Sequence, residues 1–396
     1  FELTDTIPDQ HLDRGVRLVQ VLVRYRGRPI GWCVLDRPPG GLVTDSMIRT
    51  VAYARLDKAI APWILEPPPG QESAPPPPIT VVVCTRDRPA MLDRCLHALG
   101  QLTYPEYEVL VIDNASISPE TGIVARTHKV RCVREERPGL DWARNRGIAE
   151  ARHGIIAFTD DDACPDREWL QALAIAFGSG AAAVTGLVAP LALETRAQIL
   201  FEQVYGGMGK GFRVVCHRAN GEPATSRLEA QRMGVGANMA FRREALRKLG
   251  GFDTGLDVGT ASHGGGDLDM FYRVVNAGMT LVYEPRALVW HEHRRDMAAL
   301  ERQMRDDGRA FGVYLLTRWH KGDASRGAVL RYTLGHWVPW LCGRMVQGLL
   351  GRHRLPLRLL WANLSGSFSA PWAWVATRRS DRRLRRGNGQ PTAAIA

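Results

Sequence analysis

Gly154-Ile155-Ile156-Ala157-Phe158-Thr159-Asp160-Asp161-Asp162 sets a short apolar run directly against three consecutive carboxylates. Adjacent like charges repel, so a loop gains little from them unless a cation or a polar ligand offsets the repulsion. The apolar half of the pattern recurs along the chain, as Ile79-Thr80-Val81-Val82-Val83-Cys84, Tyr107-Glu108-Val109-Leu110-Val111-Ile112, Val130-Arg131-Cys132-Val133 and Ala182-Ala183-Val184-Thr185. Helical stretches separate these runs, whose starts lie about 25 residues apart, the repeat of successive βα units in a parallel sheet covered on both faces. An α/β domain follows. In such sheets ligands sit at the carboxyl ends of the strands. Thr85-Arg86-Asp87-Arg88, Asp113-Asn114-Ala115-Ser116 and Asp160-Asp161-Asp162 occupy three of those ends and point to one crevice.

Outside this domain the texture changes. Val16 to Val23 and Ile30 to Leu35 flank Arg26-Gly27-Arg28-Pro29 and read as a hairpin, followed by a helix from Thr44 to Lys58. Glu66-Pro67-Pro68-Pro69-Gly70 and Pro75 to Pro78 read as a stiff, extended linker. The expected division is a small N-terminal α+β domain over 1–62, a linker over 63–78, the α/β domain over 79–317 and a helical, Trp- and Arg-rich region over 318–396.

An apolar share of 45% argues against wholesale disorder, and the net charge of +11 is weighted toward the arginines at 378–386. No nucleic-acid-binding module is recognisable, and the acidic strand ends oppose a phosphate backbone, so nucleic acid is not an expected partner. Thr85-Arg86-Asp87-Arg88-Pro89 stands where a dinucleotide fold needs GxGxxG, and the P-loop pattern is absent too. The seven scattered cysteines lack CxxC spacing and read as reduced thiols, and no secretory pattern follows Phe1, so a cytoplasmic location is expected.

Carboxylates at a strand end suit a hard divalent cation, Mn2+ or Mg2+, which shares oxygen ligands with substrate phosphates. The alternative for Asp160 to Asp162 is a solvated loop in which Asp162 or Asp166 caps the next helix. Asp113 could accept hydrogen bonds from a base or ribose, or simply form a turn. Asp267 follows His263-Gly264-Gly265-Gly266 and opens a helix from Leu268 to Asn276, which fits a general base facing a cleft and equally an N-cap; Asp269 fits a first-turn helix acid. His291, in Trp290-His291-Glu292-His293, ends a strand-like run and is either a ligand or a histidine bonded to backbone.

Together, Ile79 to Arg88, Val111 to Ser116, Gly139-Leu140-Asp141-Trp142-Ala143-Arg144-Asn145-Arg146-Gly147, Phe158 to Asp162 and Gly266-Asp267-Leu268-Asp269 resemble the family 2 glycosyltransferases of the inverting GT-A type, over about Ile79 to Thr317. The resemblance implies a Rossmann-like, mostly parallel sheet flanked by helices. It implies a nucleotide-sugar site formed by Thr85, Arg88, Asp113, Gly139, Arg144, Asp160 and Asp161, with Arg144 available to phosphate. Separately, Gly234-Val235-Gly236-Ala237-Asn238 is glycine-rich enough for close backbone approach to a ligand or for lid motion, which places Asn238 near the sugar. The resemblance also implies a metal site at Asp160, Asp162 and His291, and Asp267 as the base. Where the family carries a Glu-Asp pair, this chain has Gly266-Asp267.

Leu359 to Thr377 is an uncharged run of 19 residues, but Asn363, Pro371 and its hydroxyl residues make it a poor spanning helix. With Trp361, Trp372, Trp374 and the arginines after them, it reads either as an interfacial element on the inner face of an anionic membrane or as a cap on the α/β domain. The expected partners are a nucleotide-sugar donor and a glycan or lipid-linked acceptor, the acceptor inferred from this tail and from analogy.

Overall fold

The computed structural model describes residues 1–65, 75–220 and 223–387, with side chains assigned up to residue 62 of the first stretch and residue 381 of the last. The proline-rich segment read as a linker falls largely on 66–74, outside the described residues, as do the side chains of the arginines at 382–386. The chain forms two compact units, Phe1–Pro75 with Gly211–Val214, and Pro76–Lys210 with Val215–Ala396.

In the first unit the strands Leu18–Tyr25 and Arg28–Asp36 pair antiparallel around a two-residue turn. Arg26 (φ 50°) and Gly27 (φ 74°) both adopt the left-handed conformation that a tight hairpin needs to match strand twist. The Glu2 carboxylate accepts both turn amides at 2.8 Å and so stabilises the unfavourable φ at Arg26. Val23, Cys33 and Ile30 pack against Ile48, Ala52 and Ile60 of the helix Asp45–Leu65, which runs beyond the Lys58 end that the sequence suggests.

The second unit is built on nine strands: β1 (Ile79–Thr85), β2 (Tyr107–Asn114), β3 (Arg131–Glu135), β4 (Ile155–Asp160), β5 (Ala163–Pro165), β6 (Ala183–Pro190), β7 (Val215–His217), β8 (Asn238–Arg242) and β9 (Leu281–His291). Their order is β7-β9-β6-β8-β4-β1-β2-β3, with β5 on the end of β9. Strands β1, β2, β3, β4, β6 and β9 run in one direction and β5, β7 and β8 in the other, so the sheet is mostly parallel. The central strands read as unbroken apolar runs because both faces are covered. Val82, Ile156 and Phe158 enter one core, and Val81, Val83 and Ala157 the other.

Two expectations change. Gly234 to Asn238 reads in sequence as a glycine-rich segment for close backbone approach to a ligand or for lid motion, but Asn238 begins β8, an antiparallel strand inserted between β4 and β6. The boundary expected between 317 and 318 falls inside helix α6 (Met297–Lys321), and the described part of the tail groups with the sheet unit. The helix α7 (Leu357–Gly387) packs along α6 at backbone contact: a Cβ on Gly308 would lie 2.2 Å from the Asn363 carbonyl, and one on Gly366 would lie 1.9 Å from the Arg305 carbonyl. Glycine on both helices therefore makes the tail a cap rather than a separate body. Among the described residues no helix is long and apolar enough to cross a membrane.

Candidate active site

The three carboxylates after β4 divide by alternation along the chain, which sends residues i and i+2 to one side. After Asp162 the chain turns back as β5, whose Ala163 pairs with His291 at the end of β9, and the Glu292 amide donates to the Asp162 carbonyl at 3.0 Å. That pairing brings the His291 ring to Asp162, with Nε2 3.2 Å from Oδ1. Ligand atoms of Asp160, Asp162 and His291 all lie within 4.8 Å of one another. Burial would raise the Asp162 carboxyl, yet the His291 hydrogen bond and the charges of Arg88 and Arg294 hold it well below the usual range. Burial and the neighbouring Asp162 push Asp160 up. The His291 imidazole is lifted above its ordinary value, burial being outweighed by Asp162 and Asp160.

The Asp160 carboxylate has no hydrogen-bond donor or cation at bonding distance among the described residues. Two facing carboxylates and an imidazole nitrogen with one oxygen set unpartnered form a donor set that suits a hard divalent cation.

Asp161 points the other way. It accepts from Thr85 Oγ1 at 2.6 Å and from Arg88 at 3.2 Å, and burial pushes its carboxyl up to about 6 against the Thr85 hydrogen bond. Arg88 also reaches Asp162 at 3.4 Å, so one half-exposed guanidinium spans both carboxylates. Asp113 is level with Thr85 in the β1/β2 ladder. Its carboxylate accepts from the Ser116 amide at 3.3 Å and from Arg134 at 2.9 Å. Arg134 sits opposite Asp113 in the β2/β3 ladder and was not anticipated; its place in the alternating Arg131-Cys132-Val133-Arg134-Glu135 is the signal that could have found it.

The second wall comes from α3 (Leu140–Glu150) and α5 (Gly266–Asn276). Gly139, at φ 143°, precedes α3; its amide donates to Asn114, and a Cβ there would lie 2.4 Å from Asp257 Oδ2. Asp257, also unanticipated, receives the Leu140 amide at 2.6 Å and the Asp141 amide at 2.8 Å, satisfying free N–H groups at the helix start. Arg144 is buried; Nη1 donates to Asp141 at 3.0 Å, and the guanidinium lies 5.3 Å from the Phe252 ring centre. Its charge is thus matched inside the protein rather than left for phosphate alone.

The N-cap of α5 is Gly265, not Asp267. Half-buried in the first turn, Asp267 accepts from the Gly236 amide at 2.9 Å and from Leu268 at 2.9 Å. Asp269 is fully buried and paired with Arg273 and Arg318, a structural ion cluster.

Asn238, expected near the sugar, is fully buried with both ends of its amide committed. Its Nδ2 donates to Leu187 and Ala287 carbonyls at 3.0 and 2.7 Å, and its Oδ1 accepts from Trp169 at 2.9 Å. It fastens β8 to β6 and β9 beneath the crevice. His293 is likewise occupied, 3.0 Å from Glu202.

A mostly parallel α/β sheet with an acidic cluster at the end of β4 and a second acid at the head of α5 is the arrangement that the sequence resemblance to GT-A glycosyltransferases implies. The family model for glycosyl transferase family 2 matches residues 80–250, within this domain. Curated relatives include the pre-mycofactocin glycosyltransferase of Mycobacterium tuberculosis, 28% identical over 64% of this chain and 50% of the relative. Glycosyltransferase AglE of Haloferax volcanii is 26% identical over 61% of this chain and 75% of its own length. The match thus spans about half the length of the first of these relatives. Among solved structures, the mannosyltransferase PcManGT from Pyrobaculum calidifontis in complex with GDP-Man and Mn2+ aligns at 17% identity and a TM-score of 0.46, over 88% of this chain and 87% of that one.

Proposed function

We propose that the protein is a metal-dependent, inverting glycosyltransferase that moves a sugar from a nucleotide-diphosphate donor, UDP-linked in the first instance, to an acceptor hydroxyl. The observation that carries this reading is the convergence of Asp160, Asp162 and His291 at one point of the crevice. Mn2+ or Mg2+ held by these three would neutralise charge on a departing diphosphate. On this reading Asp113, Thr85 and Arg88 hold the nucleoside side of the donor, with Arg134 fixing the Asp113 carboxylate. Asp267 takes the proton from the acceptor hydroxyl as the anomeric carbon is attacked from the face opposite the leaving group. Each of its oxygens accepts one backbone amide, which fixes its orientation and leaves a second lone pair on each for a proton.

The acceptor is a lipid-linked or polymeric glycan, and the tail lies against an anionic membrane surface. Between Asp323 and Asp381 the chain has eight arginines and no acid. In the same stretch Leu334, Leu349, Leu350, Trp361, Phe368 and Trp372 are 59–75% exposed, a composition suited to an interfacial position.

The test is calorimetric titration of UDP and GDP, each with Mn2+ and with chelator. Manganese-dependent binding of one nucleotide is expected, and failure of both to bind would overturn the reading. Turnover undiminished without vesicles or lipid would instead favour a soluble acceptor, and nucleotide binding without any turnover a protein that only binds the donor.

A further inference from the structure

The glycine before Asp267 leaves a space that another residue fills. A Cβ on Gly266 would lie 1.8 Å from Oδ2 of Asp141, so nothing larger than glycine fits at 266 while Asp141 holds its place. Asp141 is 1% exposed; Oδ1 accepts from Arg144, and Oδ2 has no hydrogen-bond partner among the described residues. A buried carboxylate oxygen without a donor is costly and is retained only where something else over-determines it. Arg144 continues the contact toward the base. A Cβ on Gly236 would lie 2.7 Å from Arg144 Nη2 and 3.3 Å from Asp267 Oδ2, so guanidinium and base flank the same glycine, whose amide Asp267 accepts.

We propose that Asp141 is a positioning residue for Asp267: reaching in from α3, it supplies the carboxylate that position 266 lacks, fixes Arg144 and thereby sets the charge and orientation of the base. The acid has changed helix while keeping its place in space. This rests on the glycosyltransferase reading above. It makes positions 141 and 266 interdependent, because one volume holds either the Asp141 carboxylate or a side chain on residue 266, but not both.

The experiment compares wild type, Asp141→Ser, Gly266→Glu and the double variant in the full chain. Nucleotide release from UDP-glucose, UDP-N-acetylglucosamine and GDP-mannose with Mn2+ is followed across pH, alongside thermal unfolding. Asp141→Ser is expected to lower kcat by about 10- to 100-fold and to move the pH limb set by the base, with KM for the donor within about threefold. Gly266→Glu alone is expected to lower both melting temperature and kcat, whereas the double variant, with the acid relocated, recovers most of kcat and the original pH limb. Two outcomes overturn the inference alone: wild-type kcat in Asp141→Ser, or a double variant no better than the singles. A wild type that releases nucleotide from none of the three donors overturns the glycosyltransferase reading and this inference with it.

Discussion

Between Asp323 and Asp381 the chain carries arginine without a single acid, whereas the crevice gathers Asp113, Asp160, Asp161 and Asp162 at strand ends and Asp267 at the head of α5. The crevice acids are matched unevenly. Asp113 has Arg134, while Asp161 and Asp162 share Arg88. Among the described residues Asp160 has no bonded cation, and Asp267 is held by backbone amides. In the tail the imbalance is spread over exposed helix surface beside aromatic side chains. A localised surplus of negative charge in a buried site is relieved by one multivalent cation; a diffuse surplus of positive charge at a surface is relieved by many monovalent anions, as a leaflet offers. The two regions therefore differ in the kind of counter-charge each can take.

Four substitutions sharpen that contrast. Asp267→Asn should reduce kcat by about 1000-fold while leaving nucleotide affinity near wild type, since only the proton acceptor is lost; single-turnover kinetics separates the two. Asp162→Ala should weaken Mn2+-dependent nucleotide binding by about 100-fold and leave vesicle binding unchanged, measured by calorimetry and co-sedimentation. Paired Trp361→Ser and Trp372→Ser substitutions should lower partition onto phosphatidylglycerol vesicles by about tenfold without touching nucleotide affinity. Vesicle binding unaltered by these changes would remove the membrane half of the comparison.

The smallest effect concerns the join between tail and sheet unit. Burial would raise Asp253, but Lys321 at 2.8 Å and Arg378 at 3.4 Å hold its carboxyl well below the usual range. A depressed carboxyl stabilises the fold above its unfolded pKa, near 4, and that contribution fades as pH falls toward the folded value. Asp253→Asn should accordingly cost about 1–2 kcal/mol at neutral pH and progressively less below pH 4, read as a converging pair of melting curves.

The parallel strands were legible because their apolar runs are long, β-branched and evenly spaced, and the acids Asp113 and Asp160 to Asp162 because they end or directly follow such runs. Strand β8 was not, since Asn238-Met239-Ala240-Phe241-Arg242 is short and lies behind a glycine-rich stretch that reads as a loop. Arg134 and Asp257 owe their roles to neighbours 21 to 117 residues away. No local pattern encodes such pairings. Asn238 illustrates the same limit: beside glycine in sequence it suggests ligand contact, whereas the folded chain spends its amide on three internal bonds.

The antiparallel insertion of β8 also orders the birth of the molecule. Strands β1 to β4 are complete by Asp160, but the open edge of β4 must wait until Asn238–Arg242 leaves the ribosome, and β6 waits for β9 at Leu281–His291. A half-built sheet with an unpaired apolar edge persists for the synthesis of some 80 residues, at about 5–20 residues per second several seconds or more. Nascent chains halted between 160 and 238 should therefore be the form most dependent on chaperones.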